Sequence, residues 1–598
     1  MNKSSVKWIA LFAPVLVMSL APAAQAQRGG RGGGGAAAAA AAAADKPEEG
    51  IPVTDSLTIS KCGTCHAKDE KGNLARISWE RSTPEGWEEA IKRMVRLNGL
   101  TISPADARSI VKYLGTHHGL APEEAKPVMY MPEHRMLDAE TIIPNDAVRG
   151  ACATCHAFGR GMSWRRSKTD WQYLENMHSA LYAQADGFFH RAGRGGGGGG
   201  GGAAAAAAPA APAGPEPGVA AIDYLATAAP LHTPEWSAWS ARMRAPRITG
   251  KWLVSASIAG HGKFYGEVTI EPGAAEDEFK TTTTLHSVKD NTVLKRTGTA
   301  IVYAGYSWRG RSKGNAPANA KPDDLNSDAR ETLWIAPDQN TAVGRWYWGH
   351  YEEFGFDVNL VRDSTEPVVS AVAQYSLKAG SKDTPVKIYG DSFPANVAVA
   401  DLDFGAGVKV TKIVSHSKTE LVADVDVDKD AVPGKRDISV GRSILQNGIA
   451  VYDKVDYIKV TPETALAHLG GGAATHVKGY QQFEATAYAN GADGKPHTAD
   501  DVDLGPIDAS WSVEEFMAVF GDDDKNFVGN LDGAGFFTPA TDGPNPERKF
   551  MRNNYGDVWV VATAKNEKDK DGKPLTGRSY LVVTVPQYIN WDQPEVGQ

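Results

Sequence analysis

Cys62-Gly63-Thr64-Cys65-His66 and Cys152-Ala153-Thr154-Cys155-His156 decide how the rest of this sequence is read. Both are Cys-x-x-Cys-His, the attachment pattern of a c-type haem. The spacing has a chemical cause. Two thiols three positions apart on one helical turn reach two vinyl groups of one porphyrin, and the next residue, an imidazole, lies under the iron as proximal ligand. The chain has four cysteines and the two motifs use all of them. That weighs against a zinc knuckle or a redox dithiol and leaves no thiol for a disulfide. Cys62, Cys65, Cys152 and Cys155 are therefore expected to carry two covalent haem c groups, with His66 and His156 as proximal ligands.

Working outward, the sequence around the motifs is duplicated. After the first motif, Thr83-Pro84-Glu85-Gly86-Trp87 reads as a capped helix start, running to a stop at Asn98-Gly99. Ser103-Pro104 caps another helix with Ile110, Val111 and Leu114 on its apolar face. After the second motif, Asp170-Trp171-Gln172 echoes Trp87, and Ala221-Ile222-Asp223-Tyr224-Leu225 echoes Ile110-Val111-Lys112-Tyr113-Leu114. An electron-carrying haem needs a sixth ligand, and Met thioether and His imidazole are the usual two. The same register after each Trp gives Met94 and His178. Competing positions are His117, His118, Met129, Met131 and His134 for the first iron, and Met162, Met177 and His190 for the second. A Met-ligated haem is expected to have the higher potential of the two.

The N-terminus carries Lys3 and Lys7, an apolar run from Trp8 to Leu20, and Ala24-Gln25-Ala26 before Gln27. This reads as a secretory signal over 1–26, too short to span a membrane, and export to the periplasm suits thioether attachment. Residues 27–50, almost all Gly and Ala, are expected to be a disordered leader. The diheme cytochrome c domain is expected over 51–240, with repeats at 51–125 and 140–235. Its Gly/Ala/Pro insertion, 191–218, lacks side chains for a core and reads as an exposed loop. With 598 residues and a net charge of −9, the chain calls for several domains. Its charge and motifs argue against a nucleic-acid partner.

From about Arg247 the pattern turns to strands. Gly250 to Val254, Gly266 to Ile270, Thr299 to Tyr303, Thr332 to Ile335 and Ala342 to Trp348 predict an antiparallel barrel over 247–365. Its Trp346-Tyr347-Trp348 cluster, with His350 and Tyr351, is either a ligand mouth or, by preference, core and contact surface. Residues 367–461 resemble an immunoglobulin-like sandwich, and 465–598 form a third all-β unit in which 557–562 is expected to pair with 579–585. Trp511 reads as a sandwich-core residue. Asp522-Asp523-Asp524 lacks the spaced acids of a calcium loop and reads as a solvated turn. The fold class is thus multidomain: an all-α diheme cytochrome c domain followed by three all-β domains. No Ser-His-Asp elbow, Walker loop, zincin motif or dinucleotide fingerprint is evident.

This order resembles the alpha subunit of quinohemoprotein amine dehydrogenase. The resemblance rests on Cys62–His66, the Trp87–Met94 helix, Cys152–His156 and the Trp171–His178 helix, and the β domains add to it by order and size. It implies a periplasmic complex with a β-propeller subunit and a small subunit bearing cysteine tryptophylquinone. Primary amines would be oxidised to aldehydes at that quinone. The electrons would then leave through the haems to a soluble cytochrome or blue copper protein. No catalytic residue is expected in this chain. Two other readings are a stand-alone diheme electron carrier with β binding domains, and a diheme peroxidase-like enzyme with an open sixth position.

Overall fold

The computed structural model describes residues 48–129, 143, 146–153, 156–189, 216–472, 476–517 and 521–586. The signal segment, most of the leader and insertion, Met131, His134, Cys155 and His190 lie outside the described residues. Gly50, assigned above to the leader, is buried, with space for a Cβ closed by Asn73 and Trp79. Gly50 therefore belongs to the packed structure and not to a disordered leader.

Capping chemistry sets the two long helices of the haem region. Thr83 Oγ1 accepts the Gly86 amide at the start of Pro84–Asn98, which ends on Gly99 at φ 70°. Ser167 Oγ accepts the Asp170 amide at the start of Lys168–Leu181. Each helix buries its Trp, and both indoles are anchored alike. Trp87 Nε1 donates to His118 O at 2.9 Å, and Trp171 Nε1 to Ala229 O at 3.1 Å. Those carbonyls lie just past the Pro104–His117 and Pro217–Ala228 helices and also accept the amides of Ser82 and Arg166. These two bonds are therefore duplicated in both units.

The two units meet through strand β1 (Glu80–Ser82) antiparallel to β2 (Trp164–Arg166), which puts Arg81 opposite Arg165. Like charges directly opposite are unfavourable, and Glu124 compensates them. Its carboxylate accepts Arg81 at 2.8 and 3.0 Å and lies 3.3 Å from Arg165 Nε.

Eight strands follow: β3 (Gly250–Ile258), β4 (Gly262–Pro272), β5 (Glu278–Ser287), β6 (Val293–Tyr303), β7 (Ser307–Lys313), β8 (Ala329–Ile335), β9 (Thr341–Trp348) and β10 (Phe354–Arg362). Neighbours in sequence pair antiparallel, and β10 closes onto β3, so no edge is left open. Trp252, Phe264, Trp308, Trp346 and Phe356 fill the interior. The cavity beside Glu331 and Trp346 is about 10 Å³, roughly enough for one water. Trp346 and Trp348 belong to this core, while Tyr351 stacks on His468 of the last domain at 3.9 Å. The aromatic cluster is packing and contact surface.

The haem region is bolted to the barrel. Arg309 of β7 and Glu85, in the first turn of Pro84–Asn98, form a buried ion pair. Tyr306 donates to Leu120 O at 2.9 Å and Trp334 Nε1 to Pro122 O at 2.9 Å.

Two four-stranded sheets then enclose a core of Val386, Ile388, Phe404, Leu421 and Ile438, an immunoglobulin-like sandwich. The last domain is all β, and Gly556–Lys568 pairs with Pro574–Thr584 (Asp557 opposite Val582, Ala562 opposite Gly577). Trp511 is only partly buried, at the rim of that core. The acidic run is less solvated than its sequence suggests, because Asp523 and Asp524 pair with Arg548 and Arg552. Among the described residues no helix is long and apolar enough to cross a membrane.

Candidate functional site

Cys62 ends the helix Ser56–Cys62, which Asp55 caps by accepting the Thr58 amide at 2.7 Å. The chain then tightens, with Cys65 and His66 amides both donating to Cys62 O at 3.2 and 2.9 Å. Cys152 ends Asp146–Cys152 in the same way. Both first cysteines are half-buried, and burial pushes their thiols up to about 11. For Cys62 the Asp55 carboxylate and the neighbouring Cys65 add to the shift. A redox dithiol needs the opposite, a stabilised thiolate, so this setting does not suit disulfide chemistry.

The imidazole of each Cys-x-x-Cys-His motif has its tautomer set by a backbone carbonyl, which can only accept. His66 Nδ1 lies 2.8 Å from Ala75 O, and His156 Nδ1 lies 2.9 Å from Ala157 O. The proton is thereby on Nδ1 and the lone pair on Nε2, the arrangement a metal-bound histidine needs. His178 has the same arrangement, with Nδ1 2.9 Å from Leu174 O in its own helix.

The His156 and His178 rings lie with their centroids 6.5 Å apart. A metal–imidazole bond is about 2 Å, and the ring centroid lies roughly 1 Å behind the bonded nitrogen. Two imidazoles on opposite sides of one iron therefore have centroids roughly 6 Å apart, so the pair fits a haem iron between them. The 48° between the ring planes is no obstacle, since each ring can turn about its own metal bond. Tyr182 and Phe189 enclose His178 from the sides, each 5.9 Å away between centroids.

In the first unit the matching helix position is Met94, half-buried, whose sulfur accepts a contact from Asn98 Nδ2 at 3.6 Å. A thioether sulfur has a second lone pair for a metal. Leu97 and Leu181 occupy the same repeat position, three residues past Met94 and His178, and are 59% and 44% exposed.

The structure separates the competitors. His118 is fully buried between Trp87 and Tyr113, and burial pushes its imidazole down to about 3. Met129 is buried at the junction with the barrel. His117 is exposed and packs on Tyr113 with centroids 4.9 Å apart. Met162 and Met177 are half-buried.

Sequence reasoning missed the ionic contact between the units. Arg76 reaches Asp170 at 2.6 Å and Glu80 at 3.4 Å, and Glu80 also pairs with Arg166. A signal was present, since Ser78-Trp79-Glu80-Arg81-Ser82 and Ser163-Trp164-Arg165-Arg166-Ser167 share Ser-Trp-x-Arg-Ser.

Four family models, all from one protein, match the chain in order. Residues 53–190 match the haem-binding region of the quinohemoprotein amine dehydrogenase alpha subunit. Residues 245–363, 366–453 and 458–596 match its domains II, III and IV.

The chain belongs to the quinohemoprotein amine dehydrogenase alpha-subunit family.

It is therefore a haem-binding subunit of an oxidoreductase family. Among curated proteins no relative matches. Solved structures give partial likenesses. A de novo designed fluorescence-activating β-barrel is 14% identical, covering 19% of this chain and 93% of that one, with a TM-score of 0.15. The amine-binding protein of Rhodnius prolixus, in its tryptamine complex, is 11% identical over 19% of this chain and 63% of that one, with a TM-score of 0.16. Human protocadherin-24 EC1-2 is 12% identical over 37% and 98%, with a TM-score of 0.15. Scores this low carry no argument about the alpha subunit.

Proposed function

We propose that this chain is the diheme electron-transfer and scaffold subunit of a periplasmic quinohemoprotein amine dehydrogenase. On this reading Cys62, Cys65, Cys152 and Cys155 hold two covalent haem c groups. His66 and Met94 would hold one iron, and His156 and His178 the other. The pair His156–His178, 6.5 Å between centroids, is the observation that carries the reading. The domain division 51–240, 247–365, 367–461 and 465–598, and export by the segment 1–26, belong to it.

Haem supplies reversible one-electron chemistry when bound. The residues of this chain supply geometry and surroundings. The Ala75, Ala157 and Leu174 carbonyls hold the imidazole protons on Nδ1. Trp87 and Trp171, tied to backbone carbonyls, fix the helices that carry Met94 and His178. Filling both axial positions keeps substrate off the iron, which disfavours peroxidase-like chemistry. The amine would be oxidised to an aldehyde at cysteine tryptophylquinone in a small partner subunit, beside a β-propeller subunit. Electrons would leave one at a time to a soluble cytochrome c or blue copper protein.

Purification from the native host tests this. The expected product is a complex with two covalent haems per copy of this chain, a small quinone-bearing partner, and haem absorbance that reduces on adding a primary amine. A chain that purifies alone and is not reduced by amines would overturn the proposal in favour of a stand-alone diheme carrier.

A further inference from the structure

Arg76 has a backbone that L side chains avoid. Its φ of 70° and ψ of −57° make a γ-turn, closed by the Ile77 amide donating to Ala75 O at 3.0 Å. With a side chain at its centre this turn is rare and strained. The carbonyl that closes it, Ala75 O, is also the acceptor for His66 Nδ1 at 2.8 Å.

The Arg76 side chain is committed elsewhere. It crosses to the second haem unit, where Nε donates to Asp170 Oδ1 at 2.6 Å and the guanidinium lies over the Tyr173 ring at 4.5 Å. Asp170 is buried in the first turn of Lys168–Leu181 and also accepts Ser167 Oγ at 2.6 Å. The last turn of that helix carries His178. An ordinary exposed ion pair contributes little. This one has a buried acid, an aromatic platform and a strained turn that its ties hold in place.

We propose that Arg76 is a positioning residue for His66. The contact with the second unit holds the γ-turn, and the γ-turn holds the Ala75 carbonyl against the imidazole. The inference rests on the reading of His66 as an axial ligand. A carbonyl accepting from Nδ1 makes Nε2 a stronger donor, which favours ferric iron and lowers the potential. The ligand strength at the first haem thereby depends on packing against the unit that carries the other.

The test compares Arg76→Ala with Arg76→Gly in the full haem-loaded chain. Both remove the guanidinium and its charge. Glycine takes positive φ without strain and keeps the turn, whereas alanine lets it relax to negative φ and turns the carbonyl away. In a spectroelectrochemical titration, the haem at Cys62–Cys65 is expected to have a higher potential in the alanine variant than in the glycine variant. Equal potentials overturn the inference. A second variant, Asp170→Ala, keeps Arg76 and its contact with Glu80 but removes its hydrogen-bonded acid in the second unit. NMR of the reduced protein is expected to show faster solvent exchange of the His66 Nδ1 proton, and unchanged exchange overturns the inference as well. Wild-type protein with haem only at Cys152 sinks the ligand reading and this proposal together. Two bound haems with equal variants sink this proposal alone.

Discussion

Glu124 shows how a single carboxylate can hold two repeats together. Burial by itself would push its pKa up, but the Arg81 and Arg165 guanidiniums and the Ala121 amide outweigh that and hold it at about 2. The unfolded carboxyl titrates near 4.5, so the folded value is the lower one. The associated stability is fully present above about pH 4.5 and is lost as pH falls through about 2. The difference corresponds to about 3 kcal/mol. Removing one member of a buried ionic group leaves the others uncompensated, and Glu124→Gln is expected to cost about 3–5 kcal/mol in urea unfolding at pH 7. Its stability should also vary less than that of the wild type between pH 4.5 and 2. At the proposed haem ligands, His178→Ala is expected to convert one haem from low-spin to high-spin in EPR while the other keeps its signal. Unchanged low-spin spectra in that variant would remove His178 from the iron.

The long helices depend on residues at their starts as much as on their apolar faces. Ser167 Oγ accepts the Asp170 amide at 3.1 Å and donates to its carboxylate at 2.6 Å. Ser167→Ala removes both bonds and is expected to lower stability by about 1 kcal/mol in a denaturant melt. The larger effect falls on Asp170, which then keeps only its ionic partner in a buried setting. Gly86 plays a different part in Pro84–Asn98. A Cβ there would lie 2.0 Å from Ser82 Oγ and 3.1 Å from Trp164. The missing side chain lets the first helix sit against β1 and the second unit. Gly86→Val is therefore expected to reduce the yield of chain with both haems attached, read by the pyridine haemochrome assay. These caps and stops were visible in the sequence because they act over a few residues. The close approach at Gly86 was not, because it depends on how β1, through Ser82, and Trp164 of the other repeat pack against the helix.

At the scale of the whole molecule the barrel is the base on which the haem units are mounted. The buried Arg309–Glu85 pair ties β7 to the first turn of the Met94 helix, and Gly115 packs close to Tyr303 of β6. Arg309→Met would leave Glu85 buried and unpaired, a loss of about 3–5 kcal/mol. Calorimetry is expected to show the haem region unfolding ahead of the barrel in that variant. A single unshifted transition would mean that the pair does not couple the two. The cavity beside Glu331 inside the barrel has room for about one water.

Local chemistry was sufficient for the haem attachment pattern, the helix caps, the Trp register and the change from helical to β sequence, since each depends on residues close in the chain. The family resemblance rests on the same features. Tertiary structure alone decided the rest. Barrel closure joins β10 to β3, far apart in sequence, and no local pattern reports it. His118 and Met129 were plausible ligands by residue type, and only burial showed that they face the interior. That the His156 and His178 rings lie 6.5 Å apart, the spacing on which their proposed shared role rests, is likewise a property of the fold. Arg76 looked like one arginine among many until the packing of one repeat on the other gave it a partner, a strained turn and a carbonyl shared with His66. These features depend on distances between segments, and a linear sequence does not carry those distances until packing fixes them.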